Sequence, residues 1–147
     1  MLELLAPAGN LDAVIAAVQN GADAVYMGFG DGFNARRSAD NFTRESFAKA
    51  VRYCHIRGCK VYVTLNTLVG DREMESAAAL AQQASDAGAD AILVQDLGLA
   101  RVLRDALPDI PLHASTQMSI HNLEGARLCE ELGFSRVVLA RELTAAE

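Results

Sequence analysis

Apolar and polar positions alternate along the chain in a repeating unit. A short run of mostly β-branched apolar residues is followed by a loop, an alanine-rich amphipathic stretch and a glycine that opens the next run. The clearest copies are residues 21–27 (GADAVYM) and 88–94 (GADAILV). A continuous apolar run is typical of a strand buried on both faces of a parallel sheet, and an apolar period of 3.6 indicates a helix. The pattern therefore predicts successive βα units.

The repeat predicts six strands and five helices. The strands are expected near residues 3–6, 23–28, 60–65, 91–95, 111–116 and 136–140. The helices are expected near residues 11–20, 44–57, 72–87, 98–107 and 123–132. Asn10, Thr43, Asp71 and Asn122 stand at predicted helix starts, where a short polar side chain can cap free backbone N–H groups.

Two α/β architectures fit this alternation. A doubly wound parallel sheet would be complete within 147 residues, whereas a (β/α)₈ barrel needs about 200 residues or more. The regular repetition favours a barrel. Thr144 follows the sixth strand and has the character of an N-cap, so another helix is expected to start there.

Composition and charge exclude several classes of protein. A hydrophobic content of 51% with a net charge of −6 is typical of a folded globular domain. No uncharged run approaches the ~20 apolar residues of a membrane-spanning helix, and the start lacks the basic segment of a signal peptide. Three cysteines, an odd number, indicate the reducing cytoplasm. The acidic pI of about 5.0 argues against nucleic-acid binding by these residues alone.

Polar residues alternate along the fifth predicted strand. His113, Ser115 and Gln117 are separated by Ala114 and Thr116, so a period of two places all three on one face. Functional side chains of parallel α/β folds lie at the carboxyl ends of strands and in the loops that follow. These three residues therefore either form a polar network with neighbouring loops or face a ligand.

Four further residues at strand ends have two interpretations each. Asp96 follows strand four, where it can act as a base or bind a ligand hydroxyl, or simply cap the next helix. Asn66 follows strand three and has the same ambiguity. Arg36 and Arg141 carry fork-shaped donors that suit a carboxylate or a phosphate, although a loop arginine is often a solvated surface charge.

Common cofactor and protease motifs are absent or incomplete. The glycines of loop 28–32 lack the spacing of a dinucleotide-binding motif. Cys54, Cys59 and Cys129 are predicted to be core residues, so no metal site is predicted. The chain contains neither H-E-x-x-H nor G-x-S-x-G, and the histidine and serine of strand five have no evident third triad member.

Short blocks spread over the whole chain carry a family resemblance. In order they are ELLAPAGN (3–10), GADAVYMG (21–28), NAR (34–36), NF (41–42), TLNT (64–67), DLG (96–98), STQ (115–117) and RVVLARE (136–142). Together they resemble the collagenase-like peptidase family, also called peptidase family U32. The resemblance implies an α/β fold with a parallel (β/α) TIM-barrel-like sheet, truncated here after about six strands. Residues 1–147 are then expected to be the amino-terminal portion of the catalytic barrel, with a cysteine-containing carboxyl-terminal part absent.

The same resemblance implies two chemistries. Better understood family members are similar to oxygen-independent hydroxylases, which act on RNA bases with prephenate as hydroxyl donor or in ubiquinone biosynthesis; others are described as collagen-degrading peptidases. Several carry an iron–sulfur cluster on downstream cysteines, so a cluster is expected only in a full-length protein and no cofactor in this chain. The expected function is hydroxylation of RNA bases or a small aromatic with a prephenate-type donor. The alternatives are a collagenase-like peptidase and an inactive half-barrel that self-associates through open strand edges.

These expectations assign roles to the strand-end residues. The candidate catalytic residues are Asp96, His113, Ser115 and Gln117; the candidate substrate-binding residues are Arg36, Asn66 and Arg141. The expected partners are a small carboxylate donor and, through the absent region, RNA or a quinone precursor. No membrane association is expected, and the expected location is the cytoplasm.

Overall fold

The computed structural model describes residues 2–30, 32–35 and 41–144. The strands are β1 (Leu5–Pro7), β2 (Ala24–Met27), β3 (Lys60–Leu65), β4 (Ala91–Val94), β5 (Leu112–Ala114) and β6 (Arg136–Val137). The helices are α1 (Leu11–Gln19), α2 (Arg44–His55), α3 (Met74–Asp86), α4 (Leu97–Ala106) and α5 (Leu123–Glu131). Every predicted strand and helix is thus present in the predicted order.

The six strands form one parallel sheet in the order β1-β2-β3-β4-β5-β6. Each strand therefore lies beside the one that precedes it in the chain. A doubly wound sheet reverses its strand order at a switch point, whereas a barrel keeps adding strands on the same side. The sequential order identifies the fold as a curled, barrel-like half of a (β/α) sheet, as the sequence resemblance implied.

Alternate residues of each strand belong to two different cores. Val25 and Met27 pack against helices α1 and α2, and Ile92 and Val94 pack against α3 and α4. The residues between them form a separate cluster that contains no helical side chain: Ala24, Tyr62, Ala91 and Leu93, with Leu5, Tyr26 and Val138 packed against it. The helices thus cover the convex side of the sheet, and this second cluster lines the concave side.

Helix capping agrees with the sequence at three of the four predicted positions. Asn10, Thr43 and Asn122 each accept a hydrogen bond from a backbone N–H in the first turn of their helix. The prediction of Asp71 as a cap was wrong because α3 starts later, at Met74, with Glu73 before it. No helix in the described part of the chain is long and apolar enough to cross a membrane.

The fifth strand is shorter than predicted. It ends at Ala114, because Ser115 caps a short 3₁₀ turn, Thr116–Met118, by accepting a hydrogen bond from the backbone N–H of Gln117. Gln117 therefore lies on a helical turn, and the period-two argument applies only to His113 and Ser115. The turn breaks the strand because a serine hydroxyl offers the backbone a local partner in place of the sheet.

A polar cluster joins the two edge strands across the concave side. Arg136, at the start of β6, donates a hydrogen bond to the carboxylate of Glu3, two residues before β1. The Tyr62 hydroxyl donates to the same Glu3 oxygen at 2.9 Å, and Lys60 Nζ lies 3.4 Å from the other. We call these four residues the interior ion cluster. It connects the segment before the first strand to the start of the last strand.

Candidate functional site

The carboxyl ends of the strands surround a cleft of about 350 Å³. Its floor includes apolar residues of the concave side, namely Leu5, Leu93 and Val138. Its polar lining is formed by Tyr26, Asn34, Asn41, Thr64, Asn66, Ser115, Thr116, Gln117 and Arg141. Ligand sites of barrel folds lie at this end of the sheet, so the cleft is the candidate functional site.

Asn66 and Ser115 connect three walls of the cleft. Asn66 follows β3, and its Oδ1 accepts a hydrogen bond from the backbone N–H of Ala35 at 3.1 Å. Its Nδ2 donates to the Ser115 hydroxyl oxygen at 3.4 Å. The sequence placed Asn66 after β3 and Ser115 after β5, with β4 between them, and did not indicate that they touch. The contact fixes the end of β5 relative to the loop that follows β2.

The loop after β2 is closed at its base. Phe29 and Phe42 form a parallel bridge, with Phe42 N–H donating to the Gly28 carbonyl and Gly30 N–H to the Phe42 carbonyl. Above Gly28, the side chain of Asn34 donates to Asn41 Oδ1 at 3.1 Å. A Cβ at Gly28 would collide with both amides. A glycine is therefore needed for the Asn34–Asn41 pair to lie this close to the backbone of residue 28. This amide pair forms one wall of the cleft.

Arg141 supplies the formal charge of the cleft. Among the described lining residues it alone carries a charge at neutral pH, since the others are apolar residues, amides, hydroxyls and glycines. Arg141 and Gln117 are both exposed, whereas Ser115 is 1% exposed. The cleft is therefore rich in hydrogen-bond donors and locally positive, although the whole chain has a net charge of −6.

The cleft brings together four of the seven predicted site residues. Asn66, Ser115, Gln117 and Arg141 line it. Arg36 lies outside the described residues. The other two, Asp96 and His113, are described but do not line the cleft.

Asp96 caps helix α4. Its Oδ1 accepts a hydrogen bond from the backbone N–H of Leu99 at 2.8 Å, and its Oδ2 accepts one from Val69 at 3.3 Å. This is the capping alternative that the sequence left open. Both carboxylate oxygens are occupied by backbone N–H groups, so the residue ties the loop after β3 to the start of α4.

His113 lies on the concave side, beneath the cleft. It is 6% exposed, and its ring meets that of Tyr62 edge-on with 4.8 Å between centroids. Burial, together with the nearby positive charge of Arg136, lowers the pKa of His113 to about 4. His113 is therefore neutral at neutral pH, and no hydrogen bond joins it to Ser115 among the residues that the structure describes.

The sequence missed three cleft residues as site candidates. Tyr26 was assigned to a buried strand, although it shares the concave face of β2 with Ala24. Asn34, in the loop after strand two, and Asn41 belong to the NAR and NF blocks, but neither was chosen as a site candidate because their hydrogen bond is a tertiary contact. The signal that could have found Asn34 and Asn41 is the presence of several asparagines in the loops that follow the strands.

The cysteines do not form a cradle for a cluster or a metal. Cys54 and Cys59 lie together where α2 leads into β3, whereas Cys129 is buried in α5. Burial raises the pKa of the Cys54 thiol to about 12, and it also raises the pKa values of Cys59 and Cys129. Within the described ranges no three potential ligands among His, Cys, Asp and Glu are grouped to hold a metal ion. These residues do not fit an iron–sulfur cluster.

Relatives of known name cover almost the whole chain. The 23S rRNA 5-hydroxycytidine C2501 synthase of Escherichia coli K12 is 44% identical over 142 residues, which are 97% of this chain and 21% of that protein. The tRNA hydroxylation protein P1 of Bacillus subtilis is 40% identical over 99% of this chain and 34% of its own length. A collagenase of Porphyromonas gingivalis is 36% identical over 96% of this chain and 33% of its own length.

Solved structures share the fold. The U32 peptidase Mk0906 superposes with a TM-score of 0.75 at 19% identity, covering 95% of this chain and 58% of that one. The aldolase QR15 superposes with a TM-score of 0.72, also at 19% identity, covering 92% of this chain and 67% of that one. At this identity the likeness shows the barrel-like fold alone.

The family match extends over most of the sequence. Residues 9–147 match the family described as peptidase family U32. The chain spans about a fifth to a third of the length of the curated relatives named above. With the sequential parallel sheet and the family's sequence blocks in order along it, the chain belongs to peptidase family U32.

Proposed function

We propose that this chain forms the substrate-binding half of an RNA-hydroxylating enzyme, in which the cleft binds a small carboxylate of the prephenate type. The single observation that carries the proposal is the chemistry of the cleft: Arg141 and the Ser115 hydroxyl offer donors, and no carboxylate lies among the described lining residues. A donor-rich, positive site suits an anionic ligand with several oxygen acceptors.

The names of the relatives supply the RNA component of the proposal. Relatives that are 40% and 44% identical are named for hydroxylation of tRNA and rRNA. The net charge of −6 makes these residues a poor surface for the phosphate backbone of RNA. We therefore propose that these residues bind the small carboxylate and that other parts of the protein bind the RNA.

Binding of a small carboxylate is tested by titrating the purified protein with prephenate in a calorimeter. Arg141→Ala removes a charge-assisted hydrogen bond, which corresponds to an affinity loss of about 10- to 100-fold. The matched control is Arg101→Ala, which removes an exposed arginine on α4 that forms an ion pair with Asp105 of its own helix. Equal affinity of the wild type and Arg141→Ala for prephenate would show that Arg141 does not bind the ligand.

The RNA component is tested in cells. Deletion of the gene should abolish one hydroxylated nucleoside in the mass spectrum of digested tRNA or rRNA, and the wild-type gene should restore it. The gene with Arg141→Ala should fail to restore it, whereas Arg101→Ala should succeed. An unchanged nucleoside profile after deletion would contradict the proposal.

A peptidase is the second candidate, because a relative that is 36% identical is named a collagenase. Hydrolysis through Ser115 requires a nearby general base. His113 is the nearest candidate in sequence, but its ring packs against Tyr62 beneath the cleft. Gelatin cleavage by the purified protein that disappears with Ser115→Ala would favour this candidate over hydroxylation.

A further inference from the structure

Ser115 is a buried hydroxyl on the cleft wall with two donors aimed at its oxygen. The residue is 1% exposed. Its Oγ accepts a hydrogen bond from the backbone N–H of Gln117 at 3.3 Å and from Asn66 Nδ2 at 3.4 Å. A serine oxygen has two lone pairs, so these two N–H groups fill its acceptor capacity.

The direction of these bonds is fixed by a third contact. Asn66 Oδ1 accepts from the backbone N–H of Ala35 at 3.1 Å, and a backbone N–H can only donate. The amide of Asn66 therefore cannot be reversed, and its nitrogen must face Ser115. Since an amide nitrogen also only donates, the serine oxygen is held as an acceptor from both sides. The hydroxyl hydrogen remains, and no acceptor for it occurs among the residues that the structure describes.

We infer that Ser115 is a specificity-determining hydrogen-bond donor, which selects a ligand atom that can only accept, such as a carboxylate or carbonyl oxygen. Asn66 is its positioning residue and acts on the ligand through Ser115. The inference rests on the proposed function only for the choice of prephenate as the probe. It also gives Ser115 a role opposite to that of a nucleophile, because the lone pairs that would attack are occupied.

Asn66→Asp tests the inference because it keeps one contact and reverses the other. The carboxylate still accepts from Ala35, but it offers Ser115 an acceptor in place of a donor. The serine hydrogen then turns to Asp and away from the ligand. Ser115→Ala removes the hydroxyl altogether. Ser115→Ala should weaken prephenate binding by about 10-fold, which is the usual value of one hydrogen bond to a charged group. Asn66→Asp should weaken it by more, because its new charge also repels the carboxylate.

A double-mutant cycle separates this coupling from simple charge repulsion. The new negative charge of Asn66→Asp repels a carboxylate whether or not the serine is present. Asn66→Asp should therefore weaken binding about 10-fold more in the protein that has Ser115 than in Ser115→Ala. An equal effect in the two backgrounds would overturn the inference. An Asn20→Asp control adds the same charge at the end of α1, outside the cleft, and should leave binding unchanged.

A readout without ligand keeps the inference separate from the proposed function. If the wild type does not bind prephenate, the proposed choice of prephenate as ligand is wrong. The contact between Asn66 and Ser115 can still be measured by NMR. In Ser115→Ala the side-chain NH₂ resonances of Asn66 should shift, whereas the backbone amide of Ala35 keeps its protection from hydrogen exchange. Unchanged Asn66 resonances would overturn the inference.

Discussion

The guanidinium of Arg136 donates a hydrogen bond to the carboxylate of Glu3, across 133 positions of the chain. It joins the start of the last strand to the segment before the first, on the concave side of the sheet. The Glu3 carboxylate also accepts from Tyr62, and Arg136, ahead of its other contacts, lowers the pKa of Glu3 to about 2. Because this ion pair joins the two edges of the six-stranded sheet, we expect it to favour the curved form of the sheet.

Arg136→Met should destabilise the fold. It leaves the partly buried Glu3 carboxylate without its main partner, at a cost of about 1–3 kcal/mol in the free energy of unfolding. Urea unfolding followed by circular dichroism at pH 7 measures the loss. Lys49→Gln breaks an exposed pair on α2 and serves as the control, with no measurable change expected. Equal stability of Arg136→Met and the wild type would show that the cluster does not stabilise the curl.

Stability should fall in two adjacent windows as the pH is lowered. The folded-state pKa of His113, about 4, lies below its ordinary value of 6.5, so the unfolded chain binds the proton first. The stability contributed by neutral His113 is present above pH 6.5 and is lost between pH 6.5 and 4, by about 3 kcal/mol. The lowered pKa of Glu3 contributes stability above pH 4.5, which is lost as the pH falls towards 2.

His113→Gln separates the two windows. The variant has no titrating group at this position, so its unfolding free energy should lose the slope that the wild type shows between pH 6.5 and 4.5, above the window of Glu3. Urea unfolding at half-unit pH intervals provides the test. A wild-type slope that persists in His113→Gln would assign the acid sensitivity to another group.

Gly28→Ala should disrupt the cleft wall. The added Cβ collides with both amides of the Asn34–Asn41 pair and separates them. The backbone bridge between Phe29 and Phe42 should then open more often, which hydrogen exchange of the Phe42 amide detects as faster exchange.

Gly9→Ala is the matched control for Gly28→Ala. Gly9 also lines the cleft, but a Cβ there meets no atom within 4 Å. The Phe42 amide should exchange at the wild-type rate in Gly9→Ala. Similar exchange in the two variants would mean that the amide pair does not depend on the missing side chain of Gly28.

Asp96→Ala and Asp96→Asn distinguish a helix cap from a catalytic carboxylate. Alanine removes the acceptor for Leu99 N–H and should cost about 1 kcal/mol of stability, whereas asparagine retains capping ability and should cost much less. Urea unfolding gives the stabilities, and the nucleoside assay gives the activity. A loss of activity in Asp96→Asn at wild-type stability would instead assign the carboxylate a chemical role.

Local patterning was sufficient for the elements of the fold. The apolar runs predicted β2, β3 and β4, and Asn10, Thr43 and Asn122 marked the starts of α1, α2 and α5, because strand burial and helix capping depend on neighbours within a few residues. The prediction failed at the end of β5, where the Ser115 hydroxyl starts a turn that the alternation of residue types did not reveal.

The site was predictable only as a list of strand ends. Parallel strands end at one edge, so the sequence named Asn66, Ser115 and Arg141 as strand-end residues, and all three line the cleft. The same rule could not separate Asp96, whose oxygens cap a helix, from the residues that line the cleft. A carboxylate after a strand can serve either purpose, and only the surrounding N–H groups decide which one it serves.

By itself the sequence determined the βα repeat, the parallel strands and the family, because each depends on residue type and spacing along the chain. The tertiary structure decided the sequential strand order, the ion pair between Glu3 and Arg136, and the contact of Asn66 with Ser115. These features join residues 49 and 133 positions apart. Such pairs meet only after the sheet has curled, so no local pattern specifies them.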